Sequence, residues 1–284
     1  MEGQTPSELM LIQALTTLNS SQLSNLTTTI STTFHLHRRR VFAMLSSSSL
    51  FFLTLRHLNS LSLHNKSLLI ARYLLSNLKT ILSPLCYMQN IPIRLRDLDA
   101  VLLLLLLCEI RQHDSKALNA PTTCWRNILC KFVSNSMLRL SSGLGVSNPE
   151  LLIKYIEEVA KCMRFISKHL YLHCTSGGGE VAASVAAVVA LPSVEVSTRG
   201  VECVVCKEEM GLGRDVCELP CGHLFHWGCI LPWLKKSDTC PCCRYRLPTD
   251  DVFREIERMW KVVAKFGSGG GSLYGGHCSS CIGN

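Results

Sequence analysis

Cys203-Val204-Val205-Cys206, then Cys221-Gly222-His223-Leu224-Phe225-His226-Trp227-Gly228-Cys229, then Cys240-Pro241-Cys242-Cys243 are the stretches on which the reading of this chain turns. Cys203, Cys206, Cys221, His223, His226, Cys229, Cys240 and Cys243 supply eight soft or borderline ligands, enough for two tetrahedral zinc sites. A two-residue spacing lets one tight turn present both members of a pair to a single ion. One Cys-x-x-Cys would be weak evidence, but four linked pairs in this order point to metal. A segment of about 40 residues has too small a core to fold unaided, so two Zn2+ ions are expected to supply much of its stability. Two closed sites leave no open coordination position, which disfavours a hydrolytic zinc enzyme.

Outward from this segment, the order and spacing of the ligands resemble the RING family in its two-histidine form. That resemblance implies cross-braced binding, with Cys203, Cys206, His226 and Cys229 on one ion and Cys221, His223, Cys240 and Cys243 on the other. It also implies an E3 ubiquitin ligase, an enzyme that recruits a conjugating enzyme charged with ubiquitin and promotes transfer to lysines of a protein substrate. Carried over residue by residue, Val205, Trp233 and Pro241 fall where family members contact the conjugating enzyme. An exposed aromatic beside a proline is the chemistry of a small hot spot. Arg244 directly follows the eighth ligand, where active members keep a cation that bridges ubiquitin and the conjugating enzyme. Its planar fork suits two carbonyls at once. Such a group acts by orientation, with no covalent intermediate on the ligase. The bland alternatives are a core role for Trp233, a solvated cation at Arg244, and a RING that serves only as a zinc-dependent scaffold or dimerisation module. Cys217 and Cys242 are extra thiols, read as packing and filler.

The rest of the 284-residue chain reads as a mainly α-helical N-terminal domain over residues 1–172, joined by a flexible linker (173–200) to a small α+β RING (201–248). An amphipathic helix (249–266) and a disordered Gly/Ser-rich tail (267–284) follow. Thr5-Pro6-Ser7-Glu8 is a helix-start pattern, with a capping Thr, Pro in the first turn and Glu three residues on. Further helices are expected after Ser47, from about Asn65, from Leu95 to Gln112, from Thr123 to Leu138, and after Ser147-Asn148-Pro149-Glu150. The last carries Tyr155, Ile156, Val159, Cys162, Met163 and Ile166 at helical spacing. Leu191–Val196 has the look of a short strand. The helix after Thr249-Asp250-Asp251 gathers Val252, Phe253, Ile256, Met259, Trp260 and Val263 on one face.

Charge is unevenly placed. The chain carries 29 Lys and Arg against 21 acids. Before Asp97 the only acids are Glu2 and Glu8, against nine Lys or Arg, so the surplus sits in the N-terminal third. Residues 1–66 are dense in Ser and Thr and carry His35, His37, Arg38, Arg39 and Arg40. An organelle-targeting segment has this composition, and so does the basic surface of a helical domain. No recognition-helix pattern accompanies the arginines, so nucleic acid is not an expected partner. The opening MEGQTPSELM is unlike a secretory signal, and a reducing compartment is expected for the 16 cysteines. The apolar run from Ala100 to Cys108 falls well short of the roughly 20 residues that span a bilayer, so no transmembrane helix is expected. His277, Cys278 and Cys281 form a lone cluster in the tail.

Across the whole chain, the Ser/Thr-rich start, Leu95–Leu107, the Ala/Val linker and Cys206-Lys207-Glu208-Glu209-Met210 resemble the amyloplast-associated plant RING ligases of shoot gravitropism. This implies a location on the plastid. Ubiquitin and its conjugating enzymes are cytosolic, so the expectation is the outer, cytosolic face, held peripherally by residues 1–172.

Overall fold

The computed structural model describes residues 5–85, 93–141, 148–174 and 180–267. The chain divides into two compact units, Met1–Tyr171 and Leu172–Asn284. The first is mainly helical, and the second holds the zinc-ligand segment with a small sheet.

The first four helices of the first unit begin where side chains can satisfy the free backbone N–H groups. Helix α1 (Pro6–Leu15) opens on the capping box expected from Thr5 and Glu8. Helix α2 (Ser20–Ser46) opens on a second box, Asn19 with Gln22, which the sequence reading did not anticipate. In its Ser/Thr-rich first half the hydroxyls of Thr28, Thr29 and Thr33 bond carbonyls four residues back. Such back-bonding satisfies the hydroxyls but slightly destabilises a helix, so packing of its apolar side has to hold it. Leu26 and Ile30 supply the buried side of the same helix. At Ser47 the chain turns by 105° into α3 (Ser48–Ser60), and the Ser47 hydroxyl accepts from the Leu50 N–H. Helix α4 (Leu63–Leu82) starts two residues before the expected Asn65, because Ser62 is its cap.

Helix α5 (Leu95–His113) is the buried leucine helix and packs against α2, α3, α4 and α6 (Thr122–Ser141). Helix α7 (Asn148–Cys174) buries the expected set, Tyr155, Ile156, Val159, Cys162, Met163 and Ile166. Ser147, in its expected cap, lies outside the described residues. A polar network runs through this unit. Tyr73 donates to Glu158 at 2.7 Å and lies 3.3 Å from His37 Nδ1, while the Tyr155 hydroxyl donates to Asn77 Oδ1 at 2.9 Å. Residues 5–60 contribute α1, α2 and α3, of which α2 and α3 pack against α5.

In the second unit, β1 (Ser193–Glu195), β2 (Asp215–Glu218) and β3 (Leu224–Phe225) form an antiparallel sheet in that order. Val194 sits opposite Val216, and Cys217 opposite Phe225. The short strand expected within Leu191–Val196 forms as β1, inside the span read as a linker (173–200). Residues 180–200 dock through β1 and the short helix α8 (Val185–Val189). The Ala183 N–H donates to the Leu234 carbonyl and the Ser184 N–H to the Pro248 carbonyl. Small Ala and Val side chains let this backbone approach closely, so Ala183 and Val196 join the core with Val216, Phe225, Ile230 and Leu247. Gly177–Gly179 lie outside the described residues.

Helix α9 (Trp227–Leu234) follows β3, and α10 (Val252–Gly267) ends the described chain. Asp251 caps α10 by accepting from the Arg254 N–H at 2.8 Å. Ile256, Met259 and Val263 are buried as expected, whereas Val252, Phe253 and Trp260 are only half-buried. Ion pairs Arg254–Asp238 and Arg246–Glu257 tie α10 to the zinc-ligand loops.

Candidate metal centre

Two backbone knuckles with one hydrogen-bond pattern carry the Cys pairs. In the first, the Lys207 N–H bonds the Cys203 carbonyl and the Cys203 N–H bonds the Glu208 carbonyl. In the second, Arg244 bonds Cys240 and Cys240 bonds Tyr245 in the same way. Outside these, Met210 bonds Val201 and Leu247 bonds Asp238. Lys207 and Arg244 occupy the equivalent position and both take left-handed backbone, φ 64° and 58°. That conformation costs a non-glycine residue energy, so the closed knuckle must hold it in place.

The remaining four ligands come from a turn and a helix start. Gly222, at φ 79°, makes the turn that brings Cys221 Sγ within 3.3 Å of His223 Nδ1. Glycine adopts that region without a Cβ clash. His226 is the cap of α9 and Cys229 lies three residues on, so both fall on one side of the first turn.

The fold gathers these eight residues into two quartets, Cys203/Cys206/His226/Cys229 and Cys221/His223/Cys240/Cys243, whose ligand atoms lie within 4.8 Å of one another. A tetrahedral ion with zinc–sulfur bonds of about 2.3 Å requires ligand–ligand edges of about 3.8 Å. The Cys–His edges are 3.4 Å for Cys206–His226 and 3.3 Å for Cys221–His223. Donor type, number and compactness all fit zinc.

The thiols are also arranged in electrostatic conflict. Burial pushes Cys203 up, yet backbone N–H groups of Cys206, His226 and Val205 outweigh it and hold the thiol down to about 6. Cys240 is drawn down to about 5, first by the Cys221 thiol and then by backbone donors, against the opposing effect of burial. Cys221 is pushed up by its bond to Cys240 and by burial. Crowded sulfurs cannot all ionise together unless a cation joins them, which a dication would do. Cys217 and Cys242 belong to neither quartet. Cys217 is packed in the core, with its thiol pushed up to about 11 by burial and then by Glu218.

The residues expected to meet a conjugating enzyme lie at the surface. Val205 is 41% exposed, Trp233 40%, and Pro241 is half-buried. Trp233 Nε1–H donates to the Thr239 carbonyl at 2.7 Å, which ties the indole to the loop that leads into Pro241. Arg244 is exposed and has no side-chain partner among the described residues. Leu231, in the same helix as Trp233, is a further exposed apolar residue that the sequence reading passed over. Its position one turn into α9 was the available signal. His277, Cys278 and Cys281 lie outside the described residues.

Comparison with known proteins adds one family and three relatives. The Ring finger domain family matches residues 201–244. The E3 ubiquitin-protein ligase SGR9, amyloplastic, of Arabidopsis thaliana is 49% identical over 269 residues, spanning 90% of this chain and 95% of that protein. Shorter matches include the E3 ubiquitin-protein ligase RNF126 of Bos taurus, 53% identical over 64 residues, which are 21% of this chain and 20% of that protein. The E3 ubiquitin-protein ligase RNF181 of Danio rerio is 52% identical over 64 residues, 22% of this chain and 41% of that protein.

Proposed function

The chain belongs to the RING-type E3 ubiquitin-protein ligases, and from that premise we propose that Val205, Trp233, Pro241 and Arg244 present a charged conjugating enzyme to substrate lysines on the cytosolic face of a plastid. The observation that carries this reading is that Val205 and Trp233 are both exposed on the zinc-ligand unit, with Leu231 exposed in the same helix as Trp233.

Cys203, Cys206, His226 and Cys229 would hold one zinc, and Cys221, His223, Cys240 and Cys243 the other. Bound there, the ions cross-link loops that have little core of their own. The chain's side chains do the rest. Val205, Trp233 and Pro241 give the conjugating enzyme an apolar seat. Arg244, free to extend, bonds carbonyl oxygens on the conjugating enzyme and on ubiquitin and holds the thioester in one orientation. The substrate lysine, as the neutral amine, attacks the thioester carbonyl. A C–N bond forms, the C–S bond breaks, and the conjugating enzyme's cysteine leaves as thiolate while the amine proton passes to base or solvent. The ligase contributes orientation, which alone can supply several orders of magnitude in rate.

The test is self-ubiquitination with purified conjugating enzymes, comparing wild type with Cys203→Ser and Trp233→Ala. Chain formation is expected only from wild type. Equal activity in all three would leave the RING as a scaffold or dimerisation module, which has no need of the four residues.

Placement rests on two supports. A relative that matches nearly end to end carries the word amyloplastic in its name, and the first 96 residues hold only two acids. Ubiquitin chemistry puts the RING in the cytosol. No single helix among the described residues is long and apolar enough to cross a membrane. The proposed role is in handling amyloplasts during shoot gravitropism. A fluorescent fusion without residues 1–172 should turn diffuse, and protease added to intact plastids should digest the full-length protein. Protection from that protease would place the chain inside.

A further inference from the structure

Three consecutive arginines in α2 are used in two different ways. Arg40 turns inward, where its Nε donates to Asp99 Oδ1 at 2.8 Å and its Nη2 pairs with the other oxygen of that buried carboxylate. Arg38 and Arg39 are exposed, and no hydrogen bond or ion pair reaches either one among the described residues. With His35 and Phe42 they line one open cleft. The four residues recur at the spacing of a single helix face. Phe42 is 66% exposed.

A lone exposed apolar residue is ordinary. Two unpaired arginines around an exposed phenylalanine, in a chain with no acid between Glu8 and Asp97, make a more specific combination. We propose that this face of α2 docks on a bilayer surface rich in anionic lipid, with Arg38 and Arg39 on headgroup phosphates and Phe42 in the layer beneath them. A bilayer offers both complements at once, negative charge at the surface and apolar matter a few ångströms below it. A nucleic-acid backbone would call for further cations along the stripe. Upstream on this face stand Ser24, Thr28 and Thr32, which are exposed and uncharged. The inference deepens the peripheral placement proposed above and depends on it only for which membrane is met.

The experiment is co-sedimentation of the full-length protein with phosphatidylcholine vesicles, with and without phosphatidylglycerol. Binding should require the anionic lipid and weaken with salt. Each cation at such a surface contributes a factor of about five, so Arg38→Glu with Arg39→Glu should weaken binding at least about 25-fold. Phe42→Ser should weaken it as well, while ubiquitin chain formation by the RING unit continues. Lys131→Glu with Arg164→Glu makes the same change in net charge at two other exposed positions and should leave binding intact. Should helix content fall in the reversal variant, Arg38→Gln with Arg39→Gln carries the same comparison. Failure of the wild type to bind anionic vesicles overturns the inference, as does equal loss in the two charge-matched variants or capture by an acidic protein or RNA in place of vesicles. Vesicle binding by a fusion that stays diffuse in cells would overturn the plastid placement and leave the lipid surface standing. Plastid decoration without vesicle binding would do the reverse.

Discussion

The indole N–H of Trp233 donates to the Thr239 carbonyl at 2.7 Å, so the ring is fixed by its polar edge while two-fifths of its surface stays in water. A core aromatic would be buried on both faces. Trp233→Ala is therefore expected to keep both metal quartets and the fold, and to lower affinity for a conjugating enzyme by at least about 2 kcal/mol, roughly 30-fold. Trp233→Phe keeps an aromatic ring but loses the tether and part of the apolar area, and should fall between wild type and Trp233→Ala. Calorimetric titration with an uncharged conjugating enzyme, beside metal content, checks both statements.

Arg244 allows backbone and side chain to be separated. Its left-handed φ of 58° favours glycine, so Arg244→Gly should be about 1 kcal/mol more stable than Arg244→Ala. Neither variant should restore discharge of the thioester to free lysine, although both should bind uncharged conjugating enzyme as wild type does. Activity in the glycine variant would show that the knuckle's shape, and not the guanidinium, is what matters.

Metal removal should act on one unit only. Structural zinc contributes on the order of 10 kcal/mol per site, comparable to a small domain's whole margin. A strong chelator is expected to abolish hydrogen-exchange protection in β2, β3 and α9 while α4 and α5 stay protected. Because the quartets interleave along the chain, Cys221→Ser should release more than one zinc per molecule, measured by metal analysis of the purified variant. Loss of a single ion would mean the sites fold independently.

The helical unit should lose stability in acid through His37. Burial lowers this imidazole from 6.5 to about 4, so between those values the unfolded chain holds a proton that the folded chain does not. Stability is then fully present above about pH 6.5 and falls as pH drops toward 4, by on the order of 2 kcal/mol. Glu158, across Tyr73, is raised mainly by burial and runs the other way, with its penalty growing as pH rises above the usual carboxylate range. In His37→Gln the fall of the helical melting temperature between pH 6.5 and 4 should flatten. An unchanged slope would place the acid sensitivity elsewhere.

Legibility in the sequence followed distance along the chain. Zinc ligands come in pairs two residues apart because one tight turn must serve one ion, and the Thr5/Glu8 box is equally local. Helix α2 was hidden by its composition. Ser and Thr usually argue against a helix interior, yet here their hydroxyls bond back to the preceding turn while Leu26 and Ile30 face inward. The Asn19/Gln22 box was a local signal and would have disclosed it. The pairing of Arg40 with Asp99 joins residues far apart in the chain, as does the His37–Tyr73–Glu158 contact, and no spacing rule reports either one. The Ala/Val stretch before the RING reads by composition as a spacer because its backbone partners, the carbonyls of Leu234 and Pro248, lie about 50 residues or more further along the chain.

That strand arrangement affects how the molecule can be cut. The matched family region begins at residue 201, past β1, which covers one side of β2. A fragment begun there would leave the Asp215–Glu218 edge with unpaired amides and carbonyls, next to the vacated seats of Ala183 and Val196. Bare edges of this kind join to one another. Oligomers formed by such a truncated ligase would then be a property of the cut end, and their size would not describe the intact chain.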